Sequence, residues 1–353
     1  MLWFSFSFRF DCGFNTKITI FYIFAEMIDF ALFEDILGFD STSGKERPLA
    51  EFLAKRLQAP KVETFEVGDG TLNLLFSWGA PRVVFCTHMD TVPPYIAPHF
   101  EEGIVFGRGA CDAKGQIIAL YTACCELAAA GRDGFGLLLL SGEETGSWGA
   151  KAFAKLPFKA DLLVIGEPTE NKMISASKGT KAYELVFSGE PFHSGYPQFG
   201  SSAVEKFVDF VNALRTKHFP FDNVLGDTTY NIGKLVSDNP QNILSPELRC
   251  RLYFRTTFAS DGPVHEWMMK EVAGSGISVE FVGGDIPASY TTFPGFPAGP
   301  AAFGSDAPHL LNFRRKIICG PGSIRHAHRA DEQVLTADLE TAVRNYIKFF
   351  ELA

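Results

Sequence analysis

Residues 137–144 read LLLLSGEE, so four consecutive leucines run directly into two adjacent glutamates, Glu143 and Glu144. Two acids beside a fully apolar run are costly unless something positive compensates them. A solvated loop is one explanation. The alternative is that one carboxylate binds a metal ion while its neighbour, whose side chain diverges, faces an attacking water molecule. We predict that Glu144 binds metal and that Glu143 is the general acid/base.

The same design, an apolar run that ends in a polar residue, occurs at two other places. Residues 83–87 precede His88, and residues 162–165 precede Glu167. Short, continuous apolar runs bounded by turns are typical of strands buried on both faces of a mainly parallel sheet. Ligands of such sheets bind beyond the carboxyl ends of the strands. We therefore expect the polar residues after these runs to share one site.

Further residues complete a candidate ligand set. His88 and Asp90 form an H-x-D pair, and a metal-bound imidazole usually donates its other N–H to a carboxylate, so Asp90 would orient His88. Asp112 follows a glycine-rich turn and precedes a helical pattern, where it can cap the helix or bridge two metals. Near the C-terminus, spacing alone does not decide between His326 and His328.

The charge of this set fits two divalent cations. Asp112, Glu144 and Glu167 carry three negative charges, one fewer than the positive charge of two such ions. The remaining positive charge favours ionisation of a bridging water near neutral pH. Imidazole and carboxylate ligands without thiolate suit Zn²⁺ and would also accept Co²⁺ or Mn²⁺. The sequence therefore predicts a two-metal hydrolase.

Composition narrows the class of protein. The 353 residues are 46% hydrophobic and 21% charged, as in a soluble globular protein, and 32 basic against 41 acidic residues give a net charge of −9. That balance argues against a nucleic-acid or anionic-membrane partner. The seven cysteines are odd in number and form no disulfide or CxxC framework, which predicts reduced thiols in a cytoplasmic protein.

The order of predicted elements divides the chain. Residues 27–177 alternate strands and helices, as an α/β domain with a mixed, mainly parallel sheet flanked by helices does. Residues 178–283 predict two helices and a mostly antiparallel sheet, an inserted α+β domain of ordinary size. Residues 284–353 return to the first domain. Residues 1–26 lack a clear secretory signal, and we expect translation to begin at Met27, with the segment before it a mis-assigned start or a disordered extension.

An ordered set of motifs carries a family resemblance. The motifs are HMD at 88–90, GRGACDAKG at 107–115, EE at 143–144, GEPT at 166–169, HSG at 193–195 and AH at 327–328. Over residues 27–353 the chain resembles the co-catalytic zinc amidohydrolases and metallopeptidases, among them acetylornithine deacetylase, succinyl-diaminopimelate desuccinylase, aminoacylase and several exopeptidases. The resemblance implies a zinc-peptidase-like catalytic domain, whose inserted domain is a lid that also forms the dimer contact.

The resemblance also implies ligand roles by position. His88 and Glu167 would bind one zinc ion, and Glu144 and His328 would bind the other. Asp112 would bridge the two ions. The choice of His328 over its neighbouring histidine rests on the alanine that precedes the family's ligand in this loop.

Three residues of the inserted domain resemble residues that act on substrate. His193 resembles the lid histidine that reaches into the partner subunit's site, where it would stabilise the tetrahedral oxyanion. Arg255 resembles the arginine that holds the substrate carboxylate, a task that suits the guanidinium fork. Asn242 resembles a lid asparagine that also contacts substrate. The sequence departs from the family here, because Ile-Leu-Ser-Pro replaces the usual Val-Pro after Asn242, and the acid before Arg255 is absent.

These roles imply a homodimeric hydrolase that removes the acyl group of an N-acyl amino acid, of the acetylornithine deacetylase or desuccinylase type. Hydroxide held by the metals would attack the amide carbonyl, and Glu143 would pass the water's proton to the leaving amine. The alternative in the same family is a dipeptidase or carboxypeptidase acting on short peptides. An alternative of another class is a non-catalytic binding protein that retains the fold, and the complete ligand set argues against it.

Overall fold

The computed structural model describes residues 28–68 and 70–353. The predicted start at Met27 and the segment before it lie outside these residues. In chain order the helices are α1 (Phe30–Leu37), α2 (Arg47–Arg56), α3 (Lys114–Ala129), α4 (Trp148–Phe153), α5 (Ala203–Thr216), α6 (Asp261–Val272) and α7 (Thr336–Glu351). The strands are β1 (Lys61–Gly68), β2 (Thr71–Trp78), β3 (Val83–His88), β4 (His99–Glu101), β5 (Ile104–Phe106), β6 (Phe135–Leu140), β7 (Ala160–Ile165), β8 (Met173–Ser177), β9 (Gly179–Ser188), β10 (Thr229–Val236), β11 (Glu247–Thr256), β12 (Ile277–Gly283), β13 (Ala288–Ser289), β14 (Ala298–Ala301), β15 (Phe313–Ile318) and β16 (Gln333–Leu335).

A six-stranded sheet in the order β1-β2-β6-β3-β7-β15 forms the centre of the catalytic part. The four strands from β6 to β15 pair in parallel, whereas β1 and β2 are antiparallel. The three apolar runs of the sequence form β6, β3 and β7, which are neighbours in this sheet. Helices cover both faces, so the predicted α/β fold with a mainly parallel sheet is confirmed.

Continuous apolar sequence is required here because the central strands are buried on both faces. Every residue of β3 and β6 is buried. Alternate side chains point to opposite faces of a strand. Phe85 and Leu137 therefore join the core under α1, α2, α3 and α7, while Val84 and Leu138 join the core on the α4 side. Full burial of each such side chain contributes about 1.5–3 kcal/mol.

The inserted domain, called the lid below, forms a second sheet in the order β10-β11-β9-β12, all antiparallel. Helices α5 and α6 pack on this sheet, and their side chains build a separate core around Phe187, Phe254 and Met268. The two helices and the antiparallel sheet expected within residues 178–283 are present, while the division of the chain into domains stays a prediction. No helix among the described residues is both long and apolar enough to cross a membrane.

The two chain segments that join the lid to the catalytic part run side by side. The backbone N–H of Thr180 donates to the carbonyl of Asp285 at 2.8 Å, and the backbone N–H of Asp285 donates to the Thr180 hydroxyl at 2.9 Å. The backbones approach so closely that a Cβ at Gly284 would lie 2.0 Å from the Thr180 carbonyl oxygen. Glycine is therefore required at this crossing.

Candidate metal centre

The polar residues that follow the buried strands meet at one end of the sheet. His88 is the last residue of β3, Glu143 and Glu144 follow β6, and Glu167 follows β7. Because these strands are parallel neighbours, their carboxyl ends lie at the same edge. His88 is 1% and Glu167 is 5% exposed, whereas the side chain of His328 is 49% exposed, so the site is buried at the strand ends and open to solvent at His328.

Asp112 lies between two imidazoles. Its Oδ1 is 3.0 Å from Nε2 of His88, and its Oδ2 is 3.4 Å from Nε2 of His328. The same nitrogen of His328 is 2.9 Å from Oε1 of Glu144. One atom each of His88, Asp112 and Glu144 lie within 4.8 Å of one another. A carboxylate that faces two imidazoles with different oxygens has the arrangement that a bridge between two ions needs.

Asp112 does not cap the helix that follows it. Helix α3 begins at Lys114, its N-cap is Ala113, and no side chain bonds to the first turn. Capping, which the sequence left open for Asp112, is therefore wrong, because this carboxylate turns away from the helix and toward the imidazoles. The carboxylate is 6% exposed and is available to a ligand at the centre.

Glu143 and Glu167 belong to the same electrostatic cluster, although neither makes a hydrogen bond from its carboxylate in the described structure. Burial raises the pKa of Glu167 well above its usual value, and the charge of Asp112 raises it further. Burial likewise raises the pKa of Glu143, against the opposing charge of His88. The pKa values of both carboxyl groups therefore depend on the charges of the candidate metal centre.

The carboxylates favour positive charge at the two imidazoles. Burial lowers the pKa of His88, but hydrogen bonds to Asp112 and Asp90 outweigh it and hold that pKa well above the usual range. Hydrogen bonds to Asp112 and Glu144 raise the pKa of His328 to about 10. A site that stabilises cationic imidazoles stabilises metal cations for the same reason.

The donor set fits a pair of divalent ions. His88, Asp112, Glu144, Glu167 and His328 offer nitrogen and oxygen donors of the kind that Zn²⁺, Co²⁺ and Mn²⁺ accept. The neighbouring thiol of Cys111 points elsewhere, because its Sγ lies 3.4 Å from the carbonyl oxygen of Ser323.

The structure separates the two candidate histidines. His328 contacts Asp112 and Glu144. His326 contacts neither, and its Nδ1 is buried without a hydrogen-bond partner among the described residues. The geometry therefore favours His328 as the ligand.

Asp90 does more than the sequence suggested. Its Oδ1 accepts the backbone N–H of Glu143 at 3.0 Å, and its Oδ2 accepts the backbone N–H of Glu144 at 3.1 Å and the hydroxyl of Ser43 at 2.8 Å. Nδ1 of His88 is 2.9 Å from the backbone carbonyl of Asp90 and 3.5 Å from its carboxylate. The carbonyl is therefore the closer partner of His88, and the carboxylate mainly fixes the turn of the two glutamates.

His193 and Asn242 lie together in the lid. The N–H of Ser194 donates to the carbonyl of Asn242 at 2.8 Å, and Nδ1 of His193 accepts the N–H of Gly195 at 3.1 Å. The ring of His193 lies 5.8 Å from that of Tyr196. In the described structure neither His193 nor Asn242 contacts a residue of the candidate metal centre.

Arg255 lies on β11 of the lid, with its guanidinium 5.1 Å from the ring of Tyr253. Lys178 lies nearby: burial lowers the pKa of Lys178 and the charge of Arg255 lowers it further, against the opposing charge of Asp227. The Lys178 ammonium also donates to the backbone carbonyl of Asp227. Sequence reasoning missed this second cation. Its position directly before β9, at the entrance to the lid, was the available signal.

Two buried carboxyl groups were also missed. Asp306 is 2% exposed and its Oδ1 has no hydrogen-bond partner among the described residues; burial raises its pKa to about 6. Glu332 is 1% exposed and lies in the loop that carries His328. No apolar run precedes Asp306, so nothing in the pattern marked it, whereas Glu332 could have been noticed from its closeness in sequence to a ligand.

Comparison with known proteins identifies relatives over most of the chain. The profile of peptidase family M20/M25/M40 matches residues 84–352. A peptidase M20 domain-containing protein of Schizosaccharomyces pombe is 31% identical over 332 residues, which cover 90% of this chain and 82% of the relative. A probable carboxypeptidase of Aspergillus fumigatus is 29% identical over 380 residues, covering 90% of this chain and 85% of that protein.

Solved structures share the fold. A tripeptidase from Staphylococcus aureus superposes with a TM-score of 0.75 at 18% identity, covering 92% of this chain and 99% of that one. An M20 family metallo-carboxypeptidase from Sulfolobus solfataricus gives a TM-score of 0.72 at 17% identity, covering 92% and 98%.

Metal binding is expected to release protons. At pH 7 the imidazole of His328, whose pKa is raised to about 10, is in its cationic form in metal-free protein and must lose one proton to bind metal. The pKa of His88 is raised as well, by its hydrogen bonds to Asp112 and Asp90, which favours a further contribution from this residue. Titration of chelator-treated protein with Zn²⁺ in weakly buffered solution measures this release. The part that comes from His328 fades as pH rises through about 10.

Two variants sharpen this measurement. His328→Gln should release fewer protons and bind less metal, whereas His326→Gln should match the wild type. The reverse result would show that His326 is the ligand.

Proposed function

The chain belongs to peptidase family M20/M25/M40, and we propose on that premise that it is a two-metal hydrolase whose leaving group is an amino acid. Membership of this family makes it a hydrolase of amide bonds. The observation that carries the two-metal proposal is the position of Asp112, whose two carboxylate oxygens face two different imidazoles. A purely structural ion-pair cluster would have no need of that symmetry.

In this proposal His88 and Glu167 would hold one ion, Glu144 and His328 would hold the other, and Asp112 would serve both. Zinc is the first choice because the donors are imidazole and carboxylate. When bound, such ions polarise the substrate carbonyl and lower the pKa of a water molecule.

Glu143 moves the proton. Its ionised carboxylate accepts a proton from the water that attacks the amide carbon. The resulting carboxylic acid returns this proton to the amide nitrogen as the C–N bond breaks. A carboxyl group suits this exchange when its pKa lies closer to neutrality than usual, and burial shifts the pKa of Glu143 in that direction. Asp90 holds the Glu143 backbone in place.

His193 would stabilise the oxyanion in the site of a partner subunit, which makes the working form a homodimer. Two observations support this. In the described structure His193 contacts lid residues only, away from the candidate metal centre of its own chain. Strand β10 is an edge of the lid sheet and exposes Leu235 and Val236 at 54% and 59%, a surface that a second copy could cover.

Arg255 and Lys178 would bind a free carboxylate on the leaving group. The charges of Arg255 and Lys178 act on one another, with Asp227 opposing them at Lys178, and the guanidinium can hold both oxygens of a carboxylate. Asn242 would add a contact to the substrate from the His193 loop. The leaving group is then an amino acid with a free carboxylate.

The first candidate reaction is removal of the acyl group from an N-acyl amino acid, as in acetylornithine deacetylase or succinyl-diaminopimelate desuccinylase. The second is cleavage of short peptides by a carboxypeptidase or dipeptidase, and the names of the fungal relatives favour it. Both reactions release a free amino acid and differ only on the acyl side of the bond. We place the protein in the cytoplasm, in keeping with the free thiols of its described cysteines.

A substrate panel distinguishes the candidates. If the first candidate is right, hydrolysis of N-acetylornithine, N-succinyl-diaminopimelate and simple N-acetyl amino acids exceeds that of dipeptides and N-blocked peptides. Fastest turnover of peptides would instead establish the second candidate, and no turnover of any compound by metal-loaded protein would overturn both.

The same panel tests the carboxylate site. Arg255→Gln should raise KM roughly 10- to 100-fold for substrates with a free carboxylate, because a charge-assisted hydrogen bond is lost. Substrates amidated at that carboxyl should be poor for the wild type and little changed by the variant. An equal effect on both substrate types would contradict the assignment.

Glu143→Gln should lower kcat by about 10²–10⁴-fold and leave metal content and KM nearly unchanged, because only proton transfer is lost. Glu144→Gln is the matched comparison, since the neighbouring acid is assigned to metal binding. It should lose bound metal as well as activity. Loss of metal from Glu143→Gln, measured by elemental analysis, would mean that the two roles are reversed.

A heterodimer tests whether His193 acts across the subunit interface. Glu143→Gln and His193→Ala chains, separately tagged, are co-expressed and the mixed dimer is isolated. If His193 serves the partner's site, one site of the mixed dimer has both residues intact and regains activity, although each parent dimer is nearly inactive. A mixed dimer as inactive as its parents, or a monomer in sedimentation, would refute the shared site.

A further inference from the structure

The buried carboxylate of Glu332, which is not a proposed metal ligand, accepts hydrogen bonds from the turn that carries Asp112. Oε1 of Glu332 accepts the backbone N–H groups of Gly109, Cys111 and Asp112 at 3.0, 3.1 and 3.0 Å. Its Oε2 pairs with the guanidinium of Arg108. The side chain of Glu332 thus accepts the backbone N–H of the proposed bridging ligand, Asp112, and two backbone N–H groups of the turn before it.

The pair of Glu332 and Arg108 is sealed from water. The side chains of Glu332 and Arg108 are 0% and 2% exposed. Nε of Arg108 donates to the carbonyl of Pro94 at 3.1 Å, and the N–H of Gly107 donates to the backbone carbonyl of Glu332 at 3.0 Å. These bonds leave Glu332 little freedom to move relative to the turn, because every rearrangement would strand a buried polar group.

Glu332 belongs to the same loop as His328, which adopts a left-handed backbone conformation at φ 65°. The loop therefore brings a ligand to the centre and, four residues later, a carboxylate to the Asp112 turn. The distance between His328 and Asp112 depends on this connection. Gln116 adds a second tie, since its side-chain amide donates to the carbonyls of Cys111 and Pro321, both at 2.9 Å.

We propose that Glu332 is a positioning residue that sets the separation of Asp112 and His328, and so the geometry in which the two metal ions are held. The inference rests on the proposed two-metal function. Residues that orient metal ligands typically change metal affinity by 10–100-fold when replaced. An ion pair that served stability alone would leave metal affinity unchanged.

Two substitutions of Glu332 distinguish the effect of side-chain length from the effect of negative charge. Glu332→Asp keeps a negative charge beside Arg108 but shortens the side chain by one methylene, so it cannot hold Arg108 and all three N–H groups. Glu332→Gln keeps the length and removes the charge. Both should weaken Zn²⁺ binding to chelator-treated, full-length protein by about 10–100-fold, and both should alter the visible absorption spectrum of the Co²⁺-loaded protein, which reports ligand geometry.

The matched control breaks an ion pair in the lid. Asp261 pairs with Lys181 at 3.0 Å and accepts the hydroxyl of Thr256 at 2.7 Å. Asp261→Asn should lower the thermal unfolding midpoint of metal-free protein while Zn²⁺ affinity and the Co²⁺ spectrum stay as in the wild type. The comparison removes general destabilisation as the cause of any change in metal binding.

The outcomes are distinguishable. Wild-type protein that binds no metal would overturn the proposed function and this inference with it. Wild-type protein that binds two ions, with Glu332 variants of equal affinity and unchanged spectrum, would overturn the positioning role alone. The same holds if Glu332→Asp matches the wild type, since charge rather than reach would then suffice. Should Glu332→Gln fail to fold, Glu332→Asp decides the question by itself.

Discussion

Negative charge buried at the carboxyl ends of three parallel strands is the constraint from which the site follows. Burial and mutual repulsion raise the pKa values of Glu143 and Glu167 beside Asp112. Such a cluster is costly in a protein interior unless positive charge compensates it. His88 and His328 provide part of that charge, and two divalent ions would provide the rest. The excess negative charge that destabilises the metal-free fold therefore also favours the binding of metal cations.

Carboxylates that are not proposed ligands hold this cluster in shape. Asp90 accepts the backbone N–H groups of Glu143 and Glu144, and Glu332 accepts three N–H groups of the turn before Asp112. Each uses a charge to satisfy buried backbone donors, which are stronger partners for a carboxylate than for a neutral group.

The fold was predictable because its signals are local. Uninterrupted apolar runs at β3, β6 and β7 are typical of central strands of a parallel sheet, and the carboxyl ends of neighbouring parallel strands share an edge. That reasoning brought His88, Glu143, Glu144 and Glu167 together before any contact was known. The pattern of residues 178–283 likewise predicted a second, mostly antiparallel sheet, which the structure contains. The two interpretations of Asp112, as a helix cap or as a bridge between two metals, also came from local sequence. The structure shows that the capping interpretation is wrong.

The sequence by itself determined the three central strands β3, β6 and β7 and the polar residues at their ends, and it predicted two metal ions to balance the charge of those residues. Only the tertiary structure decided that His328 rather than His326 contacts Asp112. It also decided that Asp90 accepts hydrogen bonds from the backbone of Glu143 and Glu144, and that Glu332 accepts hydrogen bonds from the turn that leads to Asp112. Strand formation depends on neighbours within a few residues. These contacts join groups 53 to 223 residues apart, so they follow from how whole segments pack and leave no trace in local spacing.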